Sequence, residues 1–527
     1  MEIQKNKKKR EITMKQSKIA FLISIAIATA SLSACSGLGF KQTSTEFATL
    51  TYWMELSGTS KVEIQDFAET PLGKKIEENT GIKVQYIHPE NTEQFNLMLA
   101  SNDLPDIIEK NWRYAYPGGP KKALKGNQII VLNDLIDKNA PNLKKYLEAN
   151  EEVKKMTTTN DGEYYMAPFV RGDESLLIST GPIVRKDWLD ELGLDLPETM
   201  ADWHNMLKAF KSKSSGAPLI VDGIHTPLTY GVFSAAYGAP KQFFVDDGNI
   251  KYGPILDGYR DCLMELNRWY SEGLLDNNFM GVDSKMVDSS MTSGASGATV
   301  GALGGGLGKW IAASSEEGYD LVGTPYPVLN KGEKSMFSAR QNSVPGYGAA
   351  ISGKCSNPEE AMKLLDYFYS DEGHILLNFG IEGESYTVVD GYPTYTEAIT
   401  KNQNGKSMAA MLAQYTRAAS LGPFVQDKRY MEQYSSLPQQ KKAIEAWSDT
   451  NAKDHLMPPI SPDENESAEF SKIYNECLTF IDEYTIKFIT GSVSFDEWDM
   501  YVNQLKSLNI DRLIEIYQNA YDQYIIK

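Results

Sequence analysis

The pattern of apolar and polar positions changes character along the chain. Residues 49–53 (TLTYW), 83–87 (KVQYI) and 105–109 (PDIIE) are short β-branched and aromatic runs bounded by turn residues, which predicts strands. Between them, residues 71–79 predict a helix with Pro71 in the first turn and Gly81 just past the end, and residues 92–101 predict a second. Strand, helix, strand, helix, strand implies a mainly parallel sheet covered on both faces. Trp203, Met206, Leu207 and Phe210 recur at helical spacing after Thr199, as do Ala361, Leu364, Leu365 and Phe368 after Pro358. Near the end, Ser494 and Glu497 have capping-box spacing ahead of a stripe of Trp498, Tyr501, Val502, Leu505 and Leu508. Leu513, Tyr517, Ala520, Tyr521 and Tyr524 form another stripe, and these aromatics are read as core. The stretch 289–308 is rich in Gly, Ser and Ala, but Val300, Leu303 and Leu307 interrupt it, so it reads as a close-packed turn or pocket edge and not a linker.

The 527 residues are too many for one small domain and suit two large lobes or three to four units of ~150 residues. A hydrophobic share of 42% with 23% charged residues excludes a wholly disordered or collagen-like chain. Against 52 basic residues stand 70 acidic ones, and the net charge of −18 repels phosphate backbones, so nucleic acid is not an expected partner. The first residues differ. Lys5, Lys7, Lys8, Lys9, Arg10, Lys15 and Lys18 precede the apolar run 19–30, which as a helix reaches about 18 Å and falls short of a bilayer core of about 30 Å. Residues 1–34 therefore read as an export signal. Leu32-Ser33-Ala34-Cys35 resembles the lipobox of bacterial lipoproteins, which makes Cys35 the expected carrier of a diacylglycerol anchor and residues 35–46 a tether. The expected location is the extracellular face of a Gram-positive-type cell membrane. Cys262, Cys355 and Cys477 are far apart and odd in number, and read as buried thiols.

Catalytic motifs are hard to find. The run GALGGGLGKW has Leu303 where a P-loop needs glycine and Trp310 where it needs Ser or Thr. Residues 294–298 (GASGA) miss the nucleophile elbow at Ala298. The five histidines, His88, His204, His225, His374 and His455, show no metal spacing. Asp276, Asn278 and Gly281 match the first, third and sixth positions of a calcium loop, but Met280 and Val287 occupy the fifth and twelfth, so calcium is the weaker reading there, and no metal or cofactor is expected. Paired carboxylates are too numerous for a glycoside hydrolase to be dismissed by counting. What stands out is aromatic: Trp53, Trp112, Tyr114 and Tyr347 lie where strands should end, the side on which open parallel sheets bind ligands. Flat rings suit the C–H faces of sugars.

A family resemblance runs from about Thr49 onward. Leu104-Pro105-Asp106-Ile107, residues 161–168 (DGEYYMAP), Arg185-Lys186-Asp187-Trp188-Leu189 followed by ELGLDLPETMADW, Pro358-Glu359-Glu360-Ala361, LLDYFYSDEG, NFGIEGESYTVVDG and the long segment from GSVSFDEWDMY to the end resemble family 1 extracellular solute-binding proteins, in the LipO-like lipoprotein branch. These are the capture lipoproteins of ABC sugar importers. The resemblance implies an α/β, type II periplasmic-binding-protein-like fold of two lobes, each a mostly parallel sheet flanked by helices, with a ligand cleft between them. It implies an N-terminal lobe of 47–168 plus 327–382 and a C-terminal lobe of 172–322 plus 385–527, with crossings at 165–171 and near 322–328. It further implies a monomeric, non-enzymatic receptor that takes an oligosaccharide and passes it to ABC permease subunits. Peptide or other non-sugar solutes are the alternative ligands, and a surface glycoside hydrolase or lyase is a third reading. By position the expected ligand contacts are Trp53, Glu55, Asp106, Trp112, Arg171, Trp310, Tyr347 and Glu384. The overall acidity disfavours anionic glycans unless local arginines reverse it, for which Arg113, Arg171 and Arg340 are the candidates.

Overall fold

The alternating start of the chain builds the first sheet. In the computed structural model, residues 49–527 are described except for 57, 92, 402–405 and 464, so the export signal, Cys35 and the tether lie outside the described residues. Strand Leu50–Trp53 runs parallel to Val84–Ile87 on one side and Ile107–Asn111 on the other. Tyr347–Ile351 continues the sheet antiparallel to Ile107–Asn111, and Ala167–Pro168 closes its edge. Helix Pro71–Thr80 forms as its signals require: Thr70 accepts from the Gly73 amide, and Gly81 ends it at φ 68°, a left-handed position that glycine adopts without β-carbon strain. Leu50, Leu72, Ile107, Ile108, Ala350 and Leu365 are among the dry residues of the resulting core.

A second core surrounds the sheet Leu321–Gly323, Thr180–Arg185, Ala298–Ala302. Both pairings there are antiparallel, unlike the mostly parallel sheet expected of each lobe. Thr180–Arg185 enters this half of the molecule as the central strand, with Leu321–Gly323 on one side and Ala298–Ala302 on the other. The helix after Thr199 spans Met200–Phe210 with a complete capping box between Thr199 and Asp202, and it buries Trp203, Met206, Leu207 and Phe210. Helix Pro358–Tyr367 buries Ala361, Leu364 and Leu365 in the first core. Ser494 caps only a short turn, through the Asp496 amide, and helices Trp498–Ser507 and Ile510–Ile526 follow. Their stripes bury Trp498, Tyr501, Leu505, Leu513 and Tyr524. The Gly-rich stretch is packed tightly: a β-carbon at Gly301 would come within 2.7 Å of the Trp310 ring. A small third core gathers Phe379, Tyr386, Tyr395, Ile399, Leu412 and Tyr430.

Three stretches of chain join the two main cores. Phe169 and Val170 belong to the first and Ile178 to the second. The return comes later than expected. Val328 is still bridged to Thr199, with the Met200 amide donating to its carbonyl at 3.0 Å, and Phe337 packs on Phe244 with ring centroids 4.9 Å apart. The chain regains the first core at Val344, which makes residues 338–343 the connecting stretch. A third passage leaves the first core at Phe424 and reaches the second at Ala443 and Trp447. Ala413 and Phe424 thus pack in the first core, although they fall in the stretch 385–527 that the resemblance assigns to the other lobe.

Candidate functional site

Where the connecting stretches meet, hydrogen bonds hold them side by side. Val170–Arg171 pairs parallel with Val425–Gln426. The Phe169 amide donates to Tyr347 O at 2.8 Å, and the Arg171 amide to Ser343 O at 2.8 Å. Next to this junction lies a cavity of about 500 Å³, within the usual 300–1,000 Å³ of ligand clefts. The first half of the molecule contributes Asn111, Pro345 and Tyr347, and the second contributes Thr229, Tyr230, Gln242 and His455. Arg171 and the stretch from Phe337 to Asn342 complete the wall. Register explains the first group: Tyr347 sits opposite Asn111 across the antiparallel pair, at the carboxyl end of strand Ile107–Asn111. Gly346, at φ 88°, makes the turn that lets Asn111 Nδ2 donate to Pro345 O at 3.2 Å.

Two further cavities abut this one. Tyr347 and Leu421 are shared with a space of about 200 Å³ that reaches Glu55, Ser60, Thr416 and Arg417. Arg340, Gln341, Asn342 and Leu456 are shared with one of about 450 Å³ bounded by Glu151, Glu174 and Lys453. Arg417, which lines the 200 Å³ space, belongs to a paired-charge network. Arg417 makes a two-pronged bond to the fully buried Glu109, with Nη2 to Oε1 at 2.7 Å and Nη1 to Oε2 at 3.3 Å, and Tyr52 donates to Glu109 Oε2 at 2.9 Å. Burial alone would lower the Arg417 pKa, but the Glu109 carboxylate outweighs it and raises it above the ordinary value. Burial first and Glu109 second push the Tyr347 hydroxyl well up, so it keeps its proton. Glu55 is ion-paired with Lys110.

Arg171 is placed differently. Its Nη2 donates to Gln341 Oε1 at 2.8 Å, and its Nη1 to Leu176 O at 3.3 Å and Gln426 Oε1 at 3.4 Å, all neutral acceptors. Its Nε is buried with no partner among the described residues, and burial pulls its pKa below the ordinary value with no carboxylate to oppose that. Arg340 is ion-paired with Glu174. His455 faces Val245 O through Nδ1 at 2.9 Å and lies 5.4 Å from the Phe337 ring.

Of the residues picked from sequence, the structure brings Glu55, Arg171 and Tyr347 to these cavities. It places the others elsewhere. Trp53 is a nearly dry member of the first core. Trp112 has no exposed surface, gives its Nε1–H to Ile108 O at 3.2 Å and meets Phe95 edge-on. Trp310 is buried in the second core with Nε1 on Asp288 Oδ1 at 2.7 Å. Asp106 lies at the opposite end of its strand from Asn111 and accepts from Thr51 N and Oγ1 at 2.8 and 2.7 Å. Glu384 is exposed, with its carbonyl taken by Thr396 Oγ1. Arg113 lines a separate space of about 50 Å³. The rings the cleft presents, Tyr230 and Phe337 besides Tyr347, were not picked; the usable signal was an aromatic, Phe337, followed directly by the polar run 338–343 (SARQNS) ahead of the strand that starts at Tyr347. Around Asp276 the Oδ1 accepts the Asn278 amide at 2.8 Å, and no cluster of three or more His, Cys, Asp or Glu suited to a metal occurs among the described residues.

The sequence pattern of the family described as bacterial extracellular solute-binding protein matches residues 59–375, more than half the chain, and the chain belongs to that family. Lipoprotein LipO of Bacillus subtilis (strain 168) is 27% identical over 362 residues, covering 63% of this chain and 67% of LipO. The fructooligosaccharide ABC transporter substrate-binding protein FusA of Streptococcus pneumoniae serotype 4 is 24% identical, covering 96% of this chain and 98% of FusA. Among solved structures, the alginate-binding protein AlgQ2 superposes with a TM-score of 0.71 at 24% identity, covering 90% of this chain and 98% of AlgQ2. The architecture is the two-lobed fold of solute-binding proteins, as the resemblance implied.

Proposed function

We propose that this protein captures an oligosaccharide outside the cell and delivers it unaltered to an ABC importer. The observation that carries this reading is the run of three abutting cavities along the junction of the two cores, longer than one ring needs and edged by Tyr230, Phe337 and Tyr347. Ring faces stack on the C–H faces of pyranoses or furanoses, while Asn111, Gln242 and Asn342 supply amide groups to hydroxyls. The ligand shifts an open–closed equilibrium by as much as it prefers the closed state. The lobes of this reading meet at 165–171, 338–343 and 424–437. No helix of the described residues is long and apolar enough to cross a membrane, and the anchor in this reading is the lipid on Cys35. Glu55, Arg171 and Tyr347 are the proposed ligand contacts.

A thermal-shift screen of the protein against a panel of oligosaccharides tests this: at 100 times Kd, a true ligand stabilises by about 2.7 kcal/mol. Stabilisation by peptides alone overturns the sugar assignment. New reducing ends accumulating with time overturn the receptor reading in favour of an enzyme. Cys35→Ala, which leaves no thiol to acylate, should release the protein into the medium.

A further inference from the structure

The charge of the central cavity is opposite to that of the protein. The chain has 70 acidic side chains to 52 basic, yet no Asp or Glu lines the 500 Å³ cavity among the described residues, whereas Arg171 and Arg340 do. Arg340 is answered by Glu174, which faces the neighbouring cavity. Arg171 has no such answer: its partners are two side-chain amides and a backbone carbonyl, and its buried Nε has none. Holding a half-buried cation without a counter-ion is unfavourable, and an arriving anion offsets that penalty.

Hydrogen-bond chemistry points the same way. Each hydroxyl of a neutral sugar donates as well as accepts, and carboxylates are the strongest acceptors a cleft can offer. This cavity offers amide oxygens, and that of Gln341 is already taken by Arg171. The hydroxyls of Thr229, Tyr230, Ser338 and Tyr347 donate and accept alike, but no carboxylate is among the lining residues while Arg171 and Arg340 donate only, which suits a ligand carrying groups that accept only.

We infer that the ligand is an acidic oligosaccharide, a chain containing uronate residues, and that Arg171 binds one of its carboxylates at the junction of the three connecting stretches. This rests on the carbohydrate reading above and adds the ligand's charge. It competes with a purely structural role, in which Arg171 merely ties residues 341 and 426 together.

The test measures affinity of the full chain by calorimetry for short oligomers of galacturonate, of mannuronate and guluronate, and of glucuronate-containing chains, beside their methyl esters and neutral oligosaccharides such as kestose and xylotriose. At least one uronate oligomer should bind, its methyl ester at least tenfold more weakly, and added salt should weaken the acid form alone. Arg171→Gln should weaken binding of the uronate oligomer at least tenfold and that of its ester distinctly less, so that the preference for the acid form is lost. Binding of a neutral oligosaccharide with none of the uronates overturns the acidic class and leaves the carbohydrate reading standing. Binding of no oligosaccharide overturns both. Unchanged uronate affinity in Arg171→Gln, or an equal loss for acid and ester, overturns the role of Arg171, and Arg171→Lys, which keeps the charge but not the fork, should retain part of the preference.

Discussion

Arg171 and Arg417 both sit largely out of water within one run of cavities, and their surroundings differ in kind. Arg417 meets Glu109 through two bonds, and Tyr52 satisfies the same carboxylate, so its charge is cancelled within the fold. Arg171 meets neutral acceptors and the Phe169 ring 5.7 Å away, and no carboxylate. A half-buried cation bonded to its counter-ion braces the scaffold, whereas one without a counter-ion lacks that brace. The 200 Å³ space is therefore walled by an arginine paired with a carboxylate, and the 500 Å³ space by one that no carboxylate meets.

The sharpest way to break this contrast is to remove each charge. Arg417→Met leaves Glu109 buried and unpaired and should lower stability to urea by about 3–5 kcal/mol. Arg171→Gln, with no carboxylate to strand, should change stability by no more than about 1 kcal/mol. Equal losses would refute the distinction. A second contrast sets two aromatics apart: Trp112→Ala empties the first core and should cost about 3–5 kcal/mol of stability. Tyr347→Ala should chiefly weaken ligand binding, by about tenfold, as read by calorimetry.

The third connecting stretch carries a pH-sensitive brace. Burial alone would raise the Asp427 carboxyl, but His374 at 3.0 Å and Arg429 at 2.6 Å hold it well below the ordinary range. Its contribution is then complete above the unfolded pKa of about 3.9 and fades as the pH falls below that value. Asp427→Asn should flatten the acid limb of the stability profile below about pH 4 and leave neutral-pH ligand binding intact. The smallest effect is expected at Glu384, exposed and outside the cleft: Glu384→Ala should change affinity by less than about twofold.

Much of the scaffold was legible from residue order. Pro71, Gly81 and the Thr199–Asp202 pair mark helix ends through bonds made within a few residues, and the three opening strands follow from β-branched runs. The cleft was legible only in part. Tyr347 reaches the cavity because the turn at Pro345 and Gly346 delivers it to a strand end, and Arg171 because it ends the first crossing. The tryptophans were misplaced because a position beside a strand end does not reveal whether another segment covers it. Phe95 and Tyr116 close over Trp112, and Asp288 and the glycines enclose Trp310.

By itself the sequence determined many of the helices and strands, the two-lobed α/β class through its family resemblance, and the acidic character of the chain. Tertiary structure alone decided that the second sheet is antiparallel, that the return connection lies at 338–343, and which rings line the cleft. Periodicity and capping depend on neighbours a few residues away, whereas the burial of a ring and the pairing of a charge depend on segments hundreds of residues distant. Glu109 with Arg417 is such a pair, and the missing partner of Arg171 is the same fact in reverse.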